Sequence, residues 1–230
     1  ASYGQLLMET ELRHAIEAAQ LTVPYHPQVR LMDGALIGAD ALVRWQHPVR
    51  GLVPPGDFVP VAERSGLIID LGAWVFCDVC RQLAEWSESG GPTVPVAVNL
   101  AAKHFQSTSL VDFVRQQLEQ HQIGPELIEL ELTETTLLIA GHQVLTNLSA
   151  LKEMGISLAI DDFGTGYSNL SYLRQIPISV LKVDKSFIDE LESSRNDQAL
   201  VASIVALGHS LDLHVIAEGV ETPEQADILI

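Results

Sequence analysis

Hydrophobic and polar positions along this chain follow two periods that take turns. Over residues 9–19 apolar side chains recur at Leu12, Ala15, Ile16 and Ala19, the spacing of one helix face. Two runs of strand character follow, 23–31 and 36–45, separated by Asp33-Gly34, which suits a hairpin turn. With so few residues between them, these two are expected to be antiparallel neighbours. From there strand and helix patterns alternate. Helical spacing covers 54–65, 67–88, 110–121, 143–154, 169–175, 198–211 and 222–229, with Gly155, Pro177 and Pro223 as boundary signals. Strand runs stand between them at 94–100, 128–133, 156–161, 180–184 and 214–218. This order predicts an α/β fold, a TIM-type (β/α)₈ barrel with an antiparallel first strand, as a single domain over 1–230. The pattern holds seven strands and stops within a helix that should precede an eighth. The last strand and closing helix are therefore expected to lie outside this chain.

Alternate residues of a strand share a face. Over 36–45 that groups Asp40, Leu42 and Arg44, and in the next strand Ala97 and Asn99. Glu129 and Glu131 oppose Ile128, Leu130 and Leu132, Asp161 follows Ala159, Lys182 and Asp184 oppose Leu181 and Val183, and Glu218 follows Ile216. Six strands thus each offer a polar residue near the C-terminal end, the active-site mouth of such a barrel. Asp40, Asn99, Glu131, Asp161, Asp162, Glu218 and Glu221 would crowd one pocket. So many carboxylates cannot stay ionised together without cations. The sharpest stretch runs over 158–168, where an apolar run ends in Asp161-Asp162 and then Gly164-Thr165-Gly166. Two adjoining carboxylates before a glycine-permitted turn suit one hard cation or a pair. Read alone, the same stretch is also a polar strand exit with Asp162 capping a helix.

Composition narrows the choice. The chain has 230 residues, 47% of them apolar, enough for one sizeable core. A net charge of -17 argues against binding DNA through a basic face. It leaves room for an anionic substrate if metals supply local positive charge. Asp70 interrupts the longest apolar run before membrane-spanning length, so direct membrane insertion is not expected. The first residues carry no signal-peptide pattern. Cys77 and Cys80 form a C-x-x-C inside a helical pattern with no second pair, and read as small apolar residues of a helix face. The expected location is a reducing cytoplasm, including the cytoplasmic part of a membrane-bound protein.

Six stretches carry a resemblance. They are Gly38-Ala39-Asp40-Ala41-Leu42-Val43-Arg44-Trp45-Gln46-His47-Pro48, Val98-Asn99-Leu100, Glu131-Leu132-Thr133-Glu134, the run from Asp161 through Ser168, Leu181-Lys182-Val183-Asp184, and Ala217-Glu218-Gly219-Val220-Glu221. In this order, across nearly the whole chain, they resemble the EAL domain, a bacterial phosphodiesterase family acting on cyclic di-GMP. The resemblance implies hydrolysis of cyclic di-GMP to linear pGpG with Mg²⁺ or Mn²⁺, two ions in all. Asp40, Asn99, Glu131 and Asp161 would hold one ion. Asp161 would bridge to a second held by Asp162, with Glu221 nearby. Lys182 and Glu218 would handle the attacking water, Glu218 as base, and Arg44 with Leu42 would meet the substrate. Glu134 would brace the loop that begins at Phe163 and Gly164 and couple it to a homodimer interface. Flanking sensory or GGDEF-type domains are the implied neighbours. Local alternatives stay open: Arg44 as partner of a barrel carboxylate, Lys182 as counter-ion of Asp184 or Asp162, Glu134 as an ordinary cap, and His47 as structural.

Three positions depart from the family pattern. Asp40 stands where the name-giving glutamate is usual, which sets its carboxylate back by about 1.5 Å, one C–C bond. His26 stands where glutamine is usual, and the chain ends at Ile230 before the family's last strand. Asp40 keeps a rival reading alive, a degenerate domain that senses cyclic di-GMP without cleaving it.

Overall fold

A computed structural model describes residues 3–138, 141–165, 173 and 175–230. The predicted helix over 169–175 lies mostly outside them. The N-terminal helix Tyr3–Glu17 (α1) buries Leu12 and Ala15. It leads into an antiparallel ribbon. Leu21–Thr22 (β1) and Tyr25–Val29 (β2) form one side, Leu36–Ala41 (β3) and Arg44–His47 (β4) the other. The register runs on unchanged through the break: Leu21 faces Trp45, Thr22 faces Arg44, Tyr25 faces Ala41 and His26 faces Asp40. Pro24 falls at the break. It has no N–H to give the ladder, although its carbonyl still accepts from the Leu42 N–H at 3.1 Å.

The ribbon therefore feeds two sheets. β1 and β4 join Gly51–Val53 (β5) in a small antiparallel sheet, while β2 and β3 begin the seven-stranded one. The strand expected over 23–31 is present as the shorter β2, with β1 before it, whereas the strand expected over 36–45 is divided into β3 and β4, and the shared face drawn from Asp40 to Arg44 does not survive the break. β5, three residues long, is too short to show a period. Trp45 and Val53 of the small sheet pack with Leu12 of α1 and with Phe58 and Ala62 of Pro55–Ser65 (α2) in a core of their own.

The larger sheet continues through Val96–Asn99 (β6), Ile128–Thr133 (β7), Ser157–Phe163 (β8), Val180–Val183 (β9) and His214–Ala217 (β10). Its order is β10-β9-β8-β7-β6-β3-β2, parallel throughout except for the β2–β3 pair. Ile128, Leu130 and Leu132 point to a core shared with Ile68–Ser89 (α3), Leu110–His121 (α5), His142–Met154 (α7) and Arg195–Ser210 (α9). Alternation of bulky apolar and polar residues thus sends the first set to the helices and the second to the inside. The sheet is strongly curled. Lys182 of β9 touches Asp40 of β3 at 2.8 Å, yet these strands are four steps apart and would stand about 19 Å apart in a flat sheet. The result is a partial TIM-type barrel, with β10 and β2 as its edges.

Short helices follow several strand ends at once: Ala102–Gln106 (α4) after β6, Glu134–Leu138 (α6) after β7 and Lys185–Asp189 (α8) after β9. Five residues cannot display a helical repeat, so none was expected. Pro223–Leu229 (α10) starts with a capping box between Thr222 and Gln225. Cys77 and Cys80 are free thiols on α3, half-buried and buried, and burial pushes the Cys80 thiol up to about 12, which keeps it an apolar packing group.

One buried amide ties the outer helices to the strand ends. Asn147 of α7, 3% exposed, donates from Nδ2 to the carbonyls of Phe105 at 2.8 Å and Ser107 at 2.7 Å. These carbonyls close α4, the helix that follows Asn99. Asn147→Ala leaves both without their donor and should lower unfolding stability by about 2–3 kcal/mol, read as a reduced urea midpoint at unchanged m-value.

Candidate active site

Lys182 is the meeting point of the strand ends. Its side chain is 2% exposed, and its ammonium lies 2.8 Å from Asp40 Oδ1, 2.5 Å from Glu131 Oε1 and 2.6 Å from Glu218 Oε1. Glu131 is fully buried, and its second oxygen accepts from Asn99 Nδ2 at 2.5 Å. Four strands, β3, β6, β7 and β9, and the residue after β10 thus meet at one point. The counter-ions of Lys182 are Asp40, Glu131 and Glu218 rather than Asp184 or Asp162. Burial alone would lower the lysine pKa, but the charges of Glu131, Asp40 and Glu218 outweigh it and hold the ammonium well above its ordinary range. Burial raises Glu131, with Lys182 opposing. Glu218 is likewise raised by burial and held back by Lys182.

The neighbouring strand end is irregular. Between Ile160 and Phe163 the pairing of β8 with β9 slips, so that three steps on β8 match two on β9. This is a bulge. Strict alternation would send Asp161 and Asp162 to opposite faces. Instead Asp162 takes φ 55°, its N–H turns back onto Asp161 Oδ1 at 2.9 Å, and the two carboxylates converge. Oxygens of Asp161, Asp162 and Glu218 lie within 4.8 Å of one another. Burial, then the charges of Asp161 and Asp184, push Asp162 up to about 6. Asp184, just past β9, is held below the usual carboxylate range against its own partial burial because Ser186 donates to it from both N–H and hydroxyl.

The donor set is one amide and several carboxylates, all oxygen ligands of the kind that hard divalent cations take. Among the described residues the ammonium of Lys182 pairs with Asp40, Glu131 and Glu218, and no ion pair is formed by Asp161 or Asp162, so much of the negative charge is uncompensated by these side chains. The residues fit a divalent cation at the Asp161–Asp162–Glu218 cluster.

Other expected residues stand further out. Glu221 pairs with Lys185 Nζ at 2.5 Å on the surface and is not among the three clustered carboxylates. That pairing keeps Glu221 below its ordinary pKa. The stem of Lys185 packs on Gly219, where φ is 72° and a Cβ would come within 2.5 Å of it. Arg44 lies half-buried in β4, donating to the Val43 carbonyl at 3.0 Å, and among the described residues it forms no ion pair with a carboxylate. Leu42 sits half-buried at the bend of the ribbon. Glu134 opens α6 with its carboxylate buried and neither oxygen hydrogen-bonded among the described residues. Phe163 is buried at the end of β8, and Gly164 follows at φ 101°, where a Cβ would come within 2.9 Å of the Phe187 ring. The run from Gly166 through Ser168 lies outside the described residues. Glu129 is buried one step deeper than Glu131 and accepts from Ser157 Oγ at 3.0 Å. His47 accepts at Nδ1 from the N–H groups of Val49 and Arg50, a structural role. One contact was not anticipated: Gln28 Nε2 donates to Asp40 Oδ1 at 2.8 Å. Hairpin register sets Gln28 opposite Gly38, near Asp40, but the reach of its amide depends on the Cβ missing at Gly38, which the strand pattern does not show.

Comparison with known proteins identifies the family. The bifunctional diguanylate cyclase/cyclic di-GMP phosphodiesterase MucR of Pseudomonas aeruginosa is 45% identical over 225 residues, covering 98% of this chain and 33% of that protein. The cyclic di-GMP phosphodiesterase NbdA of the same organism is 44% identical over 225 residues, covering 98% of this chain and 29% of its own length. The chain therefore spans about a third of the curated relatives it matches. A solved structure described as PaMucR phosphodiesterase in complex with c-di-GMP superposes with a TM-score of 0.92 at 45% identity, over 97% of this chain and 90% of that one. The family model described as EAL domain matches residues 9–230, and the chain belongs to that family.

Proposed function

We propose that this domain is a cyclic di-GMP phosphodiesterase that opens the ring to linear pGpG with two divalent cations, Mg²⁺ or Mn²⁺. The observation that carries the reading is the buried Lys182 among Asp40, Glu131 and Glu218, beside the clustered Asp161 and Asp162. Relatives of high identity named as cyclic di-GMP phosphodiesterases support it. A receptor that only sensed the dinucleotide would have no need of a lysine and a raised-pKa glutamate held together at a cation-binding cluster.

The chain's own groups then have defined tasks. Asp40, Asn99, Glu131, Asp161 and Asp162 supply oxygen ligands, and Glu221 joins them on release from Lys185. Bound cations would supply Lewis-acid stabilisation of the phosphodiester and its leaving oxygen. Glu218, its pKa raised by burial, takes the proton of the attacking water, and the ammonium of Lys182 orients that water and steadies Glu218 as an acceptor. Water adds to phosphorus, the bond to one 3′-oxygen breaks, and that oxygen ends as a hydroxyl. Arg44, which has no carboxylate partner among the described residues, is free to meet a phosphate oxygen. Leu42 lines the same edge. The domain works as a two-fold dimer in the cytoplasm, flanked in the full protein by GGDEF-type or sensory domains, with Glu134 bracing the loop that starts at Phe163 and Gly164.

Three outcomes test this. Asp161→Asn should remove at least about 10³-fold of turnover in Mg²⁺ or Mn²⁺, measured as pGpG release by chromatography, because this carboxylate serves both ions. Near-native turnover would refute the two-cation site. Glu134→Ala should lower turnover about tenfold while leaving Mn²⁺ binding intact, since it acts through the loop and not as a ligand. A fully active monomer in light scattering would contradict the coupling to a dimer.

The third outcome concerns pH. Asp162, Glu131 and Glu218 all have folded pKa values raised above their ordinary ones. The folded state therefore binds these protons more tightly than the unfolded chain does. Burial disfavours their ionised forms, with Lys182 opposing at Glu131 and Glu218, and that cost is present in full above the folded pKa and relieved as pH falls through it. Lowering pH from about 7.5 to about 5.5 should thus raise the Tm of the cation-free domain, the three carboxylates outweighing His104, whose pKa is lowered by burial and which pulls the other way in this range. Asp184 and Glu221, whose pKa values are lowered, withdraw stability only at more acidic pH and do not oppose this. Saturating Mn²⁺ should remove the dependence.

A further inference from the structure

The EAL resemblance expects a glutamate, one methylene longer, where Asp40 stands, yet the Asp40 carboxylate is held firmly. Gln28 of β2 stands opposite Gly38 of β3, two residues before Asp40. Its Nε2 donates to Asp40 Oδ1 at 2.8 Å, the same oxygen that receives Lys182 Nζ at 2.8 Å. The other end of the amide, Oε1, lies over Gly38, where a Cβ would stand 2.5 Å from it. Gly38 is not among the residues of positive φ. Its missing side chain therefore serves the passage of the glutamine amide, not a turn. Among the described residues Asp40 Oδ2 takes no hydrogen bond, and the side chain keeps 19% exposure. Both donors fall on one oxygen, and the other is left for a ligand.

We propose that Gln28 is a positioning residue for Asp40: its amide occupies the space a longer acid would need and fixes the shorter one with Oδ2 open to a divalent cation. The inference rests on the cation-binding reading above. It explains how a carboxylate set back by about 1.5 Å still belongs to the site. The strands cannot shift by that much in a packed barrel, but a neighbouring amide can lock the short side chain in its most advanced rotamer. Groups behind a metal ligand that orient it are worth about 10- to 100-fold in metal affinity. Gln28 and Asp40 then form a matched pair, and each is correct only in the presence of the other.

The test measures Mn²⁺ binding to the metal-free domain by the free-ion EPR signal, with thermal melting in parallel. Gln28→Leu, which keeps volume and removes the donor, should weaken Mn²⁺ binding about tenfold with little change in Tm. Asp40→Glu alone should also weaken it, because the longer acid meets the Gln28 amide. The two changes together should bind at least as tightly as the native pair. A glutamine that merely fills space would not reverse the sign of the Asp40→Glu effect. Should Gln28→Leu fail to fold, Gln28→Met carries the same expectations. Unchanged Mn²⁺ affinity on losing Gln28, or the same Asp40→Glu effect in both backgrounds, overturns the proposal. Asp161→Asn separates it from the reading beneath it. If that variant loses Mn²⁺ while Gln28→Leu does not, only the pairing of Gln28 with Asp40 falls. If it binds Mn²⁺ like the native domain, the cation site falls and the pairing with it.

Discussion

The ammonium of Lys182 is the contact on which the inside of this barrel depends. An isolated charge so far from water would be driven to neutrality. Here carboxylates from β3 and β7 and from the end of β10 reverse that tendency. The arrangement is possible only because the sheet curls, since a flat sheet would hold β3 and β9 far beyond the reach of a lysine. Curl and charge are therefore one constraint. Apolar residues on the outer faces of the strands drive the sheet against its helices, and the polar faces are brought together as a consequence. Buried ion pairs of this kind add little net stability. The cluster is better understood as a fixed electrostatic template that the hydrophobic shell sustains.

The bent ribbon solves a different problem. A second cationic side chain inside a pocket lined with carboxylates would be paired off by them, as Lys182 is. Breaking the β2–β3 ladder at Pro24 and Leu42 carries Arg44 out of the barrel onto the small sheet without changing register. Arg44 stays sequentially close to Asp40 but escapes the carboxylates. The break at one proline separates a cation ringed by carboxylates from one with no carboxylate partner among the described residues.

Much of this was legible in the sequence because the strand period is two and the barrel places function at strand ends. Parity alone put Asp40, Asn99, Glu131, Lys182 and Glu218 on one face, and the structure joins all five through ion pairs and hydrogen bonds. Helix α5 kept its expected bounds, since twelve residues span enough turns to define a face. What could not be read depended on contacts across strands. The break at Pro24 looks like any proline near a strand end. The Lys185–Glu221 pair depends on how two neighbouring turns approach, and the Gln28–Asp40 bond depends on hairpin register together with a missing Cβ at Gly38. Glu221 illustrates the limit well: its spacing from Glu218 is right for the cluster, but a surface lysine holds it aside.

The Asp161–Asp162 pair shows where the fold gives way to chemistry. A regular strand could present only one of the two carboxylates to the pocket. Presenting both requires an extra residue on β8 and a left-handed backbone at Asp162. Aspartate tolerates that conformation better than most residues, though less readily than glycine. Glycine would relieve the backbone but remove the ligand, so the mild strain is inseparable from the carboxylate. The same bulge places two like charges side by side, and both effects disfavour the cation-free state. A divalent ion bound there would relieve the repulsion, and its binding would then be coupled to the stability of the barrel mouth.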